Sequence, residues 1–251
     1  MLLFANFLLI QGSHNQFPPD TAFPQIDVLS DGFNELCAII AKYNFQSHFR
    51  LRLLHRHMTL SEGQILLGTS ITEPLGYWTR PTCISDIDLN KIYPHILSVD
   101  ATSCTSEGEK RNALLFPSEF REGSPVSVGN IDGNFFMEFT DCLWRKGLEN
   151  TLGLERIQGQ AGKMIEFSFD FGSLLIKEEA VEAEVTEERA GHFTLQETGW
   201  AITIEHGAVR HIGEVQCVKA EGEHRPVAVP DEVTKVSDVV QILRDRGILA
   251  M

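Results

Sequence analysis

The chain is short of basic residues, of paired cysteines and of long apolar runs, and each shortage excludes something. Lys plus Arg number 21 against 35 Asp plus Glu, a formal balance of −14 over 251 residues. Such a chain repels a phosphate backbone or an anionic membrane except through a local basic patch. Neither nucleic acid nor membrane is an expected partner. The five cysteines, Cys37, Cys83, Cys104, Cys142 and Cys217, are odd in number and scattered, with no CxxC pair. That argues against a disulfide scaffold and for a reducing, cytoplasmic setting. The opening MLLFANFLLIQGS offers about ten apolar residues where a bilayer span takes roughly twenty. It also lacks the basic region and small-residue cleavage site of a secretory signal, so it is expected to pack on the domain uncleaved.

Nucleotide signatures are missing as well. GQAGK, residues 159–163, has Ile157 where a phosphate loop begins with glycine, and Met164 where Ser or Thr would hold magnesium. NIDGN, residues 130–134, reads as a turn and helix cap, because no downstream ligand set completes a calcium loop. Neither GxSxG nor HExxH occurs. The expectation is no cofactor, or a divalent metal.

What is present is an ordinary globular composition, 43% apolar, enough for one domain. Residues 1–29, rich in Pro and polar residues after the apolar start, read as an extended arm, and 30–251 as a single α+β domain. Ser30 or Asp31 caps a helix from about Phe33 to Asn44, with Phe33, Leu36, Cys37, Ile40 and Tyr43 on one face. A second helix begins near Asn134, buries Phe135, Phe136, Phe139, Cys142 and Leu143, and ends at Gly147. SDVVQILRDRG closes the chain as a short helix. Strands are read at 48–57, 64–68, along KMIEFSFDFGSLLI, and across HFTLQE, WAITIEHG and EVQCV, while 69–130 reads mostly as loop and short strand. The glutamate-rich run 177–191 reads as a linker. The fold expected is a mainly antiparallel sheet packed by two main helices and a short C-terminal one. Sliding the chain by 103 residues lays Phe33 on Phe136, Phe49 on Leu152 and Leu51 on Leu154. This raises a duplicated helix-then-strand unit, against two unrelated amphipathic helices.

Chemistry concentrates in LRLLHRHMTLSEGQILLG, residues 51–68. On a strand through 48–57, Phe49, Leu51, Leu53, His55 and His57 share one face, and Arg50, Arg52, Leu54 and Arg56 the other. The histidines would point inward while the arginines look out or pair with the acidic surplus. Residues two apart on a strand lie roughly 6.5 to 7 Å apart along it, so both imidazoles can reach one metal. The spacing His55, His57, Glu62 resembles the first motif of the cupin barrels, which implies those three as metal ligands. The pattern departs from that family at Phe49, where glycine is expected, and at Gly68, one residue early; no asparagine follows Asn150 to complete a second motif. His224 in EGEHRP is the remote fourth candidate. Trp78 and Trp200 are large enough to line a ligand cavity, with Arg56 beside them as a substrate contact, or else to serve as core.

A longer resemblance joins LCAIIAKYNFQSHFRLRLLHRHMTLSEGQILL with ETGWAITI and CVKAEGEHRP. Together they resemble a set of uncharacterised proteins of filamentous fungi, which implies a shared fold but no mechanism. The expected function is a small-molecule enzyme or accessory factor of fungal secondary metabolism acting on an apolar metabolite. Its chemistry would be acid–base work at His55, His57 and Glu62, isomerase, cyclase, dehydratase or hydrolase in type, with or without a metal. The competing expectation is a non-catalytic binding or interaction protein whose histidines are structural.

Overall fold

The structure is a computed structural model and describes residues 7–19, 25–99, 115–125, 131–158, 162–182, 185, 193–220, 229–230, 233 and 235–250. Its strands are β1 (Phe49–Leu53), β2 (Gln64–Thr72), β3 (Leu75–Cys83), β4 (Ile92–Val99), β5 (Leu115–Glu122), β6 (Leu152–Arg156), β7 (Met164–Phe169), β8 (Gly172–Lys177), β9 (Phe193–Glu205) and β10 (Ala208–Ala220). They close into one barrel in the order β1-β6-β4-β5-β2-β3-β8-β7-β10-β9. This overturns the expected antiparallel sheet packed by helices. The barrel is mixed, with β2 parallel to β5 and β7 parallel to β10. The half-buried β2 and β3, and the turn residues around them, gave the stretch after residue 69 too little apolar signal to read as long strands.

Exchanging each strand with the one five places on reproduces the same ring of neighbours, so the barrel has an internal two-fold arrangement. Helix α2 (Asp31–Lys42) leads into β1, and α3 (Gly133–Lys146) leads into β6. The 103-residue shift relates their details. Asn44 and Gly147 both take positive φ, 58° and 65°, which lets each chain leave its helix through the left-handed turn that ends it. The bonds from Phe45 N to Ile40 O and from Leu148 N to Leu143 O are equivalent, as are Leu54 N to Thr151 O and Ile157 N to His48 O. The β1–β6 ladder is centred on the pair Leu51–Leu154. Beside it Gly153 lies so close to β4 that a side chain there would collide with the Leu97 carbonyl.

The helices start where capping physics places them. Ser30 Oγ accepts from Phe33 N–H, and Asp132, rather than Asn134, accepts from Asn134 N–H to cap α3. Their apolar stripes pack on the outside of the barrel. Phe33, Leu36, Ile40, Phe135, Phe139 and Leu143 cover Phe49, Leu51, Leu53, Leu152, Leu154 and Trp200. On another side α4 (Val236–Asp245) brings Val239, Val240 and Leu243 against Ile165, Phe167, Leu174, Ile176 and Trp78. Fully burying each such side chain is worth about 1.5–3 kcal/mol.

Because the apolar face of each strand is turned outward to the helices, the other face lines the lumen. Arg50 and Arg52, expected to look out or to pair with acidic groups, are each 5% exposed inside the barrel, so pairing rather than solvent exposure holds for them. There Arg50 pairs with Glu155 and with Glu214, and Arg52 reaches across the lumen to Glu166 on β7, which is not a neighbour of β1. Glu166 and Ser168 alternate inward against Ile165, Phe167 and Phe169, so β7 is buried on both faces. Residues 1–29 also differ from an extended arm, since α1 (Phe7–Gln16) is helical. Its His14 Nε2 meets the Met58 carbonyl at 3.2 Å, and Asn15 bonds Leu60 through both its amide nitrogen and its oxygen.

Candidate metal centre

Strand β1 ends at Leu53, four residues before His57, so the two histidines lie on the segment that leaves the barrel rather than on the strand. That segment turns them back over the lumen mouth. His55 Nδ1 lies 3.0 Å from the Leu53 carbonyl, which only accepts, so Nδ1 carries the proton. Burial, then the neighbouring His57, hold the His55 imidazolium well below its usual range, so the ring is neutral at pH 7 and its Nε2 is a lone pair. His57 Nδ1 lies 2.8 Å from Ser168 Oγ. The two Nε2 atoms face each other at 2.9 Å.

Two further groups converge there from the far side of the barrel. Glu166 Oε1 lies 3.6 Å from His57 Nε2, and Cys217 Sγ lies 3.6 Å from His55 Nε2. The Cys217 thiol also donates to Glu166 Oε2 at 3.1 Å, the oxygen that accepts from Arg52 Nη2 at 2.5 Å. Burial pushes the Glu166 carboxyl up, but Arg52, His57 and His55 together outweigh it and hold the group well below the usual carboxylate range. Burial raises the Cys217 thiol. One donor atom from each of His55, His57, Glu166 and Cys217 lies within 4.8 Å of the others. Two imidazoles, a carboxylate and a sulfur suit a zinc-class transition metal.

His55, His57 and Glu166 open onto a cavity of about 40 Å³, whose lining does not include Cys217. At 10–15 Å³ per water this takes about three waters. Phe17, Leu54, Met58, Leu66 and Ile96 form its apolar wall, and Arg52, Glu119 and Glu166 its polar one. Burial raises Glu119 to about 7, with Arg121 opposing.

The other residues singled out in the sequence are elsewhere. Glu62 is exposed in the turn before β2 and is not among the grouped donors. Arg56 fastens α1, its Nε donating to the Phe17 carbonyl and its Nη1 to Thr59. Trp78 packs against Phe169 and Phe171, and Trp200 against Phe33 with its Nε1 donating to Glu197; neither lines the cavity. His224 lies outside the described residues. Glu166, Cys217 and Glu119 were not singled out beforehand. The one trace of the first is the alternation of Glu166 and Ser168 in a strand whose other face is wholly aromatic and aliphatic.

The chain matches no protein-family model, no curated protein and no solved structure. No helix among the described residues is long and apolar enough to cross a membrane.

Proposed function

We propose that the protein is a metal-assisted small-molecule enzyme whose ion is held by His55, His57, Glu166 and Cys217. One observation carries this. Each histidine has its outer ring nitrogen fixed, His55 by the Leu53 carbonyl and His57 by Ser168, while both Nε2 atoms converge on the carboxylate and the sulfur. That is the outer-shell arrangement which orients ligating imidazoles. Donors around a tetrahedral ion bonded at about 2.0–2.3 Å stand roughly 3.3–3.8 Å apart, so the observed group needs shifts of about 1 Å.

When bound by these four residues and expanded to five-coordinate by the substrate, such an ion would supply Lewis acidity to a carbonyl or similar polar group. Arg52 fixes Glu166 through Oε2 and leaves Oε1 toward the centre. Glu119, on the same cavity wall, has an affinity for protons matched to neutral pH and is the group to take up or deliver one. The mixed lining fits a small substrate with an apolar body and one polar reacting group, for hydration, hydrolysis or isomerisation.

A second reading is favoured by the direct contact of the two Nε2 atoms at 2.9 Å. In it the cluster is a metal-free hydrogen-bonded plug and the histidines are structural. Metal analysis of protein purified without a histidine tag, with thermal melts with and without chelator, separates the two. The enzyme reading expects about one zinc-class ion per chain and a chelator-sensitive melt that His57→Ala abolishes. A metal-free protein whose melt ignores both zinc and chelator supports the plug instead.

A further inference from the structure

Strands β1 and β6 run antiparallel, so the segments that follow them emerge at opposite ends of the barrel. The 103-residue shift places Gln158 where His55 stands. A second, half-open cavity of about 20 Å³ lies there, lined by Arg50, Tyr77, Arg121, Arg156, Gln158 and Met164 among others, with no acidic residue among the described residues of its lining. From this arrangement we infer a second ligand site, an oxyanion pocket that takes a carboxylate or phosphate group at the barrel mouth opposite the histidines.

The donors there outnumber their acceptors. Arg50 is matched by Glu155 and Glu214. Among the described residues Arg121, 4% exposed, has only Glu119 as an ion-pair partner, at 3.8 Å, and its guanidinium lies 3.6 Å from the centre of the Tyr77 ring. Arg156 makes no ion pair among the described residues and lies 6.0 Å from the Phe49 ring. Among the described residues, the buried Nε atoms of Arg50, Arg121 and Arg156 and Nε2 of Gln158 have no hydrogen-bond acceptor. Buried N–H groups without acceptors are costly, and arginine forks suit the edge of a planar or tetrahedral oxyanion. The space admits one or two oxygen-sized atoms, so the anion inserts one edge and leaves the rest of its molecule at the mouth. On a chain of charge −14 this is a local basic patch that a small acid can enter and a polyanion cannot.

The test uses the full chain in a buffer of non-coordinating cations, titrated at constant ionic strength with inorganic phosphate or acetate, chloride being the balancing salt. The expected result is a saturable rise in Tm, of about 3 °C or more at a hundredfold excess over Kd, with at least tenfold weaker binding in Arg156→Gln. Arg156 is half-buried, and Arg156→Lys is the companion variant, expected to retain partial binding. His57→Gln should keep the shift, which separates this pocket from the metal centre whatever the fate of the latter. Whichever of phosphate and acetate saturates at lower concentration identifies the headgroup class. No saturable shift with either anion, or an undiminished one in Arg156→Gln, overturns the site.

Discussion

Glu155 sits at the middle of the lumen, 1% exposed, where it meets Arg50, Arg52 at 3.8 Å and His95 at 3.1 Å. Glu155→Gln keeps its shape and removes its charge, leaving two arginines to share fewer acids. Breaking a buried pair of this kind costs about 3–5 kcal/mol, and for a domain of this size that lowers Tm by roughly 6–20 °C. The pH dependence is the sharper test. Burial would push the Glu155 carboxyl up, but Arg50 and the His95 contact hold it well below its ordinary value of 4.5. A group lowered on folding gives stability that is full above its unfolded value and is lost as pH falls toward the folded one. Urea melts of wild type and variant should therefore differ by a constant amount from pH 7 to about 5. Below about 4.5 the gap should shrink by roughly 1.4 kcal/mol per pH unit, as wild-type Glu155 loses its charge advantage. A gap under 1 kcal/mol at pH 7, or one that persists unchanged to pH 3.5, would refute the charged lumen.

Asn15→Ala should cost about 1–3 kcal/mol in urea melts, because it orphans the Leu60 N–H and leaves the Leu60 carbonyl only the Gln11 Nε2 bond at 3.2 Å, weakening the hold on the chain just after the histidines. Burial lowers His14 to about 4 and His95 to about 3, so the unfolded chain takes up protons on them first. Stability measured from pH 7 downward should begin to fall near pH 6.5, and His14→Gln should flatten part of that slope. Iodoacetamide followed by mass spectrometry should label exposed Cys83 quickly and spare buried Cys37, Cys142 and Cys217 in the native chain. Equal labelling of Cys217 and Cys83 would mean that the lumen is open to solvent.

The two capped helices and the Gly147 stop, with φ of 65°, were legible because each is set by a few neighbouring residues. The parity of Phe49, Leu51 and Leu53 was legible too. Which side of the strand is the inside of the protein was not. Alternation shows two faces, and here helices cover the apolar one from outside while arginines and glutamates fill the lumen. Both faces are buried, a state that arginine-rich sequence disguises as a solvent edge. Barrel closure was hidden for a related reason: it depends on parallel pairs between strands far apart in the chain, β2 with β5 and β7 with β10. The histidine pair stood out locally. Its partners, Glu166 and Cys217, lie 109 and 162 residues from the histidines they approach (166 − 57 and 217 − 55), and nothing local to either announces the meeting. The apolar start disguised α1, in which the polar His14 and Asn15 bond the backbone of Met58 and Leu60.

Cobalt(II) titration of the tag-free protein probes the proposed centre most directly, because a thiolate bonded to cobalt gives an intense charge-transfer absorption. One equivalent should produce that band and saturate it. Cys217→Ser should lose it, and His57→Ala should weaken binding at least tenfold. Absorption that never saturates, or a band unchanged in Cys217→Ser, would contradict a metal held by His55, His57, Glu166 and Cys217.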